Sequence, residues 1–104
     1  MDDVLRFRIA DSIHELARQD SWNPEAWQQC YELVSANMKA DGLLEYVHDD
    51  LIHYDGLFHS RNILGFRVKS DRRELEQFRQ EFRDVASSLR ARLSLQDAQN
   101  KYGF

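Results

Sequence analysis

One cysteine, one proline and four glycines in 104 residues leave this chain little punctuation and no cross-linking chemistry. Cys30 alone forms neither an internal disulfide nor half of a Cys-x-x-Cys motif, which excludes a disulfide scaffold and dithiol redox chemistry and fits a reducing compartment. With no Pro/Gly-rich tract, low-complexity segment or internal repeat, no linker divides the chain, and residues 1–104 read as one domain. No apolar run approaches the roughly 20 residues of a membrane span. The first residues, Met1-Asp2-Asp3, are acidic where a secretory leader is basic, and Arg6 and Arg8 interrupt the first apolar stretch, so a soluble, cytoplasmic protein is expected.

Catalytic signatures are missing as well. The glycines, at 42, 56, 65 and 103, are too scattered for a phosphate-binding loop. There is no Gly-x-Ser-x-Gly elbow, no zinc-finger spacing and no aromatic strand motif for RNA. Cys30 falls on an apolar helical stripe, where an inert thiol is expected rather than a nucleophile. No cofactor is expected, and enzymatic activity is disfavoured for want of parts.

What the chain does have is charge, unevenly placed. Residues 1–66 carry 12 acidic and 5 basic side chains, and residues 67–104 carry 6 acidic and 9 basic, within a net charge of −4. The basic segment is therefore expected to lie against the acidic part of its own chain or of a second copy. A nucleic-acid-binding regulator using Arg72, Arg79, Arg83 and Arg90 on the last helix is an alternative, disfavoured by the acidic balance of the whole.

Apolar residues recur at helical spacing in four segments, which predicts a mainly all-α fold, a small bundle of three to four helices. The first runs from about Asp3 to Gln19 with Leu5, Ile9, Ile13 and Leu16 on one face. Phe7 lies about 160° from Ile9 around the helix and so points away from that face, in need of a partner. The second opens on "SWNPEAW": Asn23 as cap, Pro24 at the first helical position, Glu25 in the first turn, and Trp22 opposite Trp27 at the spacing of a hydrophobic staple. It is expected to continue to Asp41-Gly42, with Gly42 as a left-handed stop. The third, about Leu43 to Tyr54, buries Leu44, Val47 and Leu51 and ends at Asp55-Gly56.

Residues 57–69 are ambiguous. Leu64, Phe66 and Val68 alternate at strand period, which leaves room for a short β element paired with Leu57-Phe58-His59 or with a second chain. The last helix is expected to start at the Ser70 cap and run to about Leu93 or Gln96 on a stripe of Leu75, Phe78, Phe82, Val85, Ala86 and Leu89. Residues 94–104 then form a frayed tail unless Tyr102 and Phe104 dock. A homodimer through this helix or through 57–69 is expected.

The stretch "HDDLIH", His48 to His53, is the one that looks like chemistry. Five residues apart, its histidines diverge by about 140° on a helix and cannot share one ion. His48 belongs with the edge of the buried face. Asp49, Asp50 and His53 are read onto the outer face as candidate metal ligands, with Asp55 or His59 of the following segment completing the set. A metal-dependent hydrolase on this cluster is the enzymatic alternative; one version pairs His48-Asp49 with His14 and Asp84 as distant ligands. The favoured function is a non-catalytic protein-interaction module (a regulator, an adaptor or an immunity-type inhibitor). Its acidic N-terminal part would steer a basic partner, with Phe7, Tyr46 and Phe58 as partner-binding anchors.

Overall fold

A computed structural model of the chain describes residues 1–59 and 72–104 in full, and the backbone alone of 62–63 and 66–67. Among the described residues the fold is all-helical in character, with five α-helices. Helix α1 (Asp3–Ala17) starts where Asp2 accepts the Leu5 amide hydrogen at 2.7 Å and buries Ile9, Ala10, Ile13 and Leu16. Helix α2 (Pro24–Asn37) forms at the expected signal. Asn23 Oδ1 accepts from the Ala26 amide at 3.0 Å, Pro24 takes the first position, and the Trp22 and Trp27 rings close to 6.0 Å. The Trp27 indole donates to the Leu51 carbonyl at 2.9 Å, tying this start to the next long helix.

Gly42 is not a left-handed stop. Helix α2 tightens into a 3₁₀ turn, Met38–Ala40, and Asp41 then caps the third helix by accepting from the Leu43 amide at 2.9 Å, so Gly42 is its first residue. Helix α3 (Gly42–Phe58) also runs a turn beyond the expected end at Asp55-Gly56. A helical glycine costs about 1 kcal/mol relative to alanine, but the extra turn places Phe58 against Trp22 at 5.1 Å and Tyr54 at 5.0 Å. Burying an aromatic ring is worth more than that cost. Leu57 and Phe58 are thus helical and not a strand.

Further on, the backbone of Asn62–Ile63 runs antiparallel to Phe66–Arg67 with Ile63 opposite Phe66. The alternation of Leu64 with Val68 and the Ser70 cap lie outside the described residues.

Helix α4 (Arg72–Arg90) stops short of the expected end near Leu93. Arg92 takes a positive φ of 58°, and the Leu93 amide turns back to the Ser88 carbonyl at 2.9 Å, closing the helix in a Schellman-type turn. Ser94 then caps a further helix, α5 (Leu95–Tyr102), which Gly103 ends at φ 75°. The expected tail is therefore a fifth helix, held because Phe104 docks on Tyr46 with ring centroids 5.3 Å apart.

Helix α1 lies against α4 and α2, α3 lies against α2 and α4, and α5 spans α3 and α4. Ile9, Ile13 and Leu16 meet Val34, Leu44, Val47, Leu51, Phe82, Val85 and Leu89 in one core, all shielded from solvent. Phe82, Val85, Ala86 and Leu89 of the α4 stripe are buried in this core, and Leu75 and Phe78 are partly buried against it. Arg92 pairs with Asp3, Arg90 with Asp11, and Arg79 donates to the Asp20 carbonyl at 3.2 Å, so α4 runs antiparallel to α1, and Arg90 with the following Arg92 meets α1's acids.

Candidate functional site

The "HDDLIH" residues sit in the middle of α3, which separates them by face. His48 stacks on Tyr31 at 5.3 Å, and Tyr31 stacks on Trp27 at 4.8 Å, so His48 belongs to the aromatic seam between α2 and α3. Asp49 projects into solvent with its side chain 78% exposed. His53 is exposed and its Nδ1–H donates to the Asp49 carbonyl oxygen at 3.0 Å; a carbonyl only accepts, which fixes the tautomer and leaves Nε2 as the open nitrogen.

Asp50 is not on the outer face with them. Four residues from both Tyr46 and Tyr54, it lies in the α3/α4 interface, where its carboxyl reaches Glu81. Tyr46 stands near the same Glu81 charge. Asp50 Oδ2 is cut off from solvent and meets no hydrogen-bond donor. Burial, then the hydrogen bond and charge of Glu81, then the charge of Asp49, push the Asp50 carboxyl up to about 8. Tyr46 is pushed up to about 12, first by burial and then by the charges of Asp50 and Glu81. Tyr54 is raised by burial, against the opposing charge of Arg79.

The three expected metal ligands are therefore not brought together. Asp55 and His59, named as helpers, pair with each other at 2.9 Å, and the His59 ring sits edge-on to Trp22 at 5.1 Å. His14 accepts from Arg90, and burial followed by that arginine's charge lowers its pKa, while Asp84 accepts from Gln80 at 3.0 Å; neither reaches His48. Among the described residues, no three His, Cys, Asp or Glu side chains stand close enough to hold an ion. Cys30 is buried, and desolvation pushes its thiol up to about 12.

The expected anchors also divide. Phe7 is 43% exposed, as its position opposite Ile9 requires, with the Arg6 guanidinium 5.1 Å from its ring. Tyr46 is covered by Phe104, and Phe58 by Trp22 and Tyr54, because α5 and the last turn of α3 supply partners within the chain. Beside Phe7 an open groove of about 600 Å³ runs between α1 and α2, lined by Val4, Phe7, Arg8, Glu15, Gln29 and Leu33. Val4 is 80% exposed. Sequence reasoning set Val4 on Phe7's side of α1 and Leu33 on the apolar stripe of α2, but named neither as part of a site, although Val4 stands three residues before Phe7. It also missed Glu81, whose signal was a lone acid between Phe78, Phe82 and Val85 on an otherwise apolar stripe.

Of the four arginines proposed for nucleic acid, Arg72 is exposed and the other three are occupied at home. Arg79 bonds Asp20 and Glu76, Arg83 bonds Glu76 at 2.8 Å, and Arg90 bonds Asp11 and His14. No protein family, curated protein or solved structure matches this chain.

Proposed function

We propose that this chain is a small, soluble, non-catalytic protein-interaction module acting in the cytoplasm. A bundle of four long helices, with a short β element after α3, is the scaffold, and the α1/α2 groove is the docking face. The observation that supports this reading is the exposure of Val4 and Phe7 side by side on α1, next to Leu33 of α2, on a helix whose other face is wholly buried. Around these apolar residues stand Glu15 of α1 and, on the adjoining surface of α2 that shares Gln29, Glu25 and Glu32. Arg8 is the cation of the groove lining. Such a rim favours a basic partner segment with one apolar anchor, steered by charge and held by burial of Phe7.

The test is amide chemical-shift mapping with two synthetic amphipathic helices, one Leu/Lys and one Leu/Glu. The cationic peptide is expected to move the amides of Phe7, Gln29 and Leu33, and Phe7→Glu to abolish this while leaving the remaining spectrum folded. Equal shifts with both peptides, or none on α1 and α2, would overturn the reading. Sedimentation velocity separates the remaining occupant, a second copy: a dimer that Phe7→Glu dissociates would assign the groove to self-association.

A further inference from the structure

Besides the apolar core, α1 and the turn after it are tied to α4 and its end by charged contacts: Asp3 with Arg92, Asp11 with Arg90, and the Asp20 carbonyl with Arg79. The contact at Arg90 has a further member. Arg90 Nη2 donates to Asp11 Oδ1 while Nη1 donates to His14 Nδ1. Asp11 and His14 are three residues apart, so both reach one guanidinium from the same side of α1. His14 is half-buried and stands between Ala10 and Ala17, which are buried, at the edge of the core face.

This contact dictates the state of the imidazole. Arginine has donors only, so His14 Nδ1 must be a bare acceptor and the ring proton must lie on Nε2. An imidazolium carries hydrogen on both nitrogens and cannot take this bond. One added proton therefore turns His14 from acceptor to donor, opposed to Arg90 and suited to Asp11.

The surrounding charges act in the same sense. From α1, Arg18 adds a positive charge and Asp11 a negative one; from α4, Arg90 and Arg83 add two further positive charges. Arg18 is shared with Glu15 at 3.6 Å and Arg83 with Glu76 at 2.8 Å, which leaves Arg90 the principal charge on the ring. Burial first, and Arg90 next, hold His14 below its ordinary value of 6.5, against the pull of Asp11. The contacts at Arg92 and Arg79 contain no histidine.

We propose that Asp11, His14 and Arg90 form a proton-sensitive clamp between α1 and the carboxy-terminal end of α4. In neutral solution one guanidinium bridges both α1 side chains. In acidic solution protonated His14 takes Asp11, Arg90 is displaced, and the turn that follows it loosens. That turn closes α4 through the Ala91 amide on the Ser87 carbonyl at 3.0 Å and the Leu93 amide on the Ser88 carbonyl at 2.9 Å. The clamp needs no partner in the α1/α2 groove.

The test is a titration of the full chain with imidazole nitrogens and backbone amides both followed by NMR. Neutral His14 is expected as the Nε2–H tautomer with a midpoint below 6.5, and Arg90→Gln to raise that midpoint by about half a unit or more through loss of the like charge. Amide protection of residues 91–93, corrected for base-catalysed intrinsic exchange, is expected to fall about threefold or more between pH 7 and one unit below the midpoint. His14→Gln keeps an accepting oxygen at every pH and should abolish this fall. His48, His53 and His59 still titrate in that variant, so a fall that persists would belong to other groups and overturn the clamp. In the wild-type chain alone, an Nδ1–H tautomer or a midpoint at or above 6.5 would overturn the Arg90 contact. A low midpoint with unchanged protection of residues 91–93 would overturn the loosening.

Discussion

Asn23 holds the first turn of α2 through one hydrogen bond, from the Ala26 amide at 3.0 Å, and that bond satisfies a donor with no intrahelical partner. Asn23→Ala should lower stability by about 1 kcal/mol, seen as a lower urea midpoint at unchanged slope; Asn23→Gly should cost only a few tenths. Cys30 makes the opposite case, a reactive residue type made inert by position. Buried with its thiol pushed up to about 12, it should resist aromatic disulfide reagents at pH 8 in the native chain and react at once in denaturant. Rapid native labelling would show that the core around Cys30 opens on the minute scale. Both residues were readable in the sequence, because a cap and a residue on an apolar stripe depend only on local spacing. Asp50 was not: the arc Tyr46, Asp50, Tyr54 is covered by Phe82 and Glu81 of α4 and by Phe104, partners that local spacing within α3 does not reveal.

At the scale of elements, the long amphipathic helices were legible and their ends were not. Gly42 and Gly56 both read as stops, yet one opens α3 and the other lies inside it, since the aromatic packing of Phe58 and the Asp41 cap outweigh the modest cost of a helical glycine. The tail was misread for a related reason. Nothing within residues 94–104 says that Phe104 will find Tyr46, half a chain away. That contact is long-range, and removing it should act locally. Phe104→Ala is expected to raise amide exchange across residues 95–102 about tenfold while exchange in α1 and the middle of α4 stays slow, because α5 draws on the low-stability end of the fold. Equal acceleration everywhere would mean that α5 is part of the cooperative core.

At the scale of the whole molecule, the shifted groups set a pH profile whose segments belong to different residues. His14 is lowered in the fold, so the stability it contributes is present above its ordinary value of 6.5 and is lost as pH falls through the folded value. Asp50 is raised, from 3.8 to about 8, so the native state holds a proton that the unfolded chain has released, and stability falls as pH climbs towards 8. Below 6.5 the two trends oppose one another. Between 6.5 and 8 only the Asp50–Glu81 pair remains of the two, and the urea midpoint should decline there. One proton sets a ceiling of about 1.4 kcal/mol per pH unit, and the half-open site, screened by solvent, should give clearly less. Cys30 and Tyr46, both raised to about 12 from 9.0 and 10.0, then produce a second fall above pH 9. Asp50→Asn should flatten the first decline and leave the second, whereas Cys30→Ala should leave the first and reduce the second to the share of Tyr46, at some cost in overall stability. A profile that rises between pH 6.5 and 8 would mean that the unfolded chain holds more protons than the native one in that window, which is incompatible with a protonated Asp50 at the α3/α4 seam.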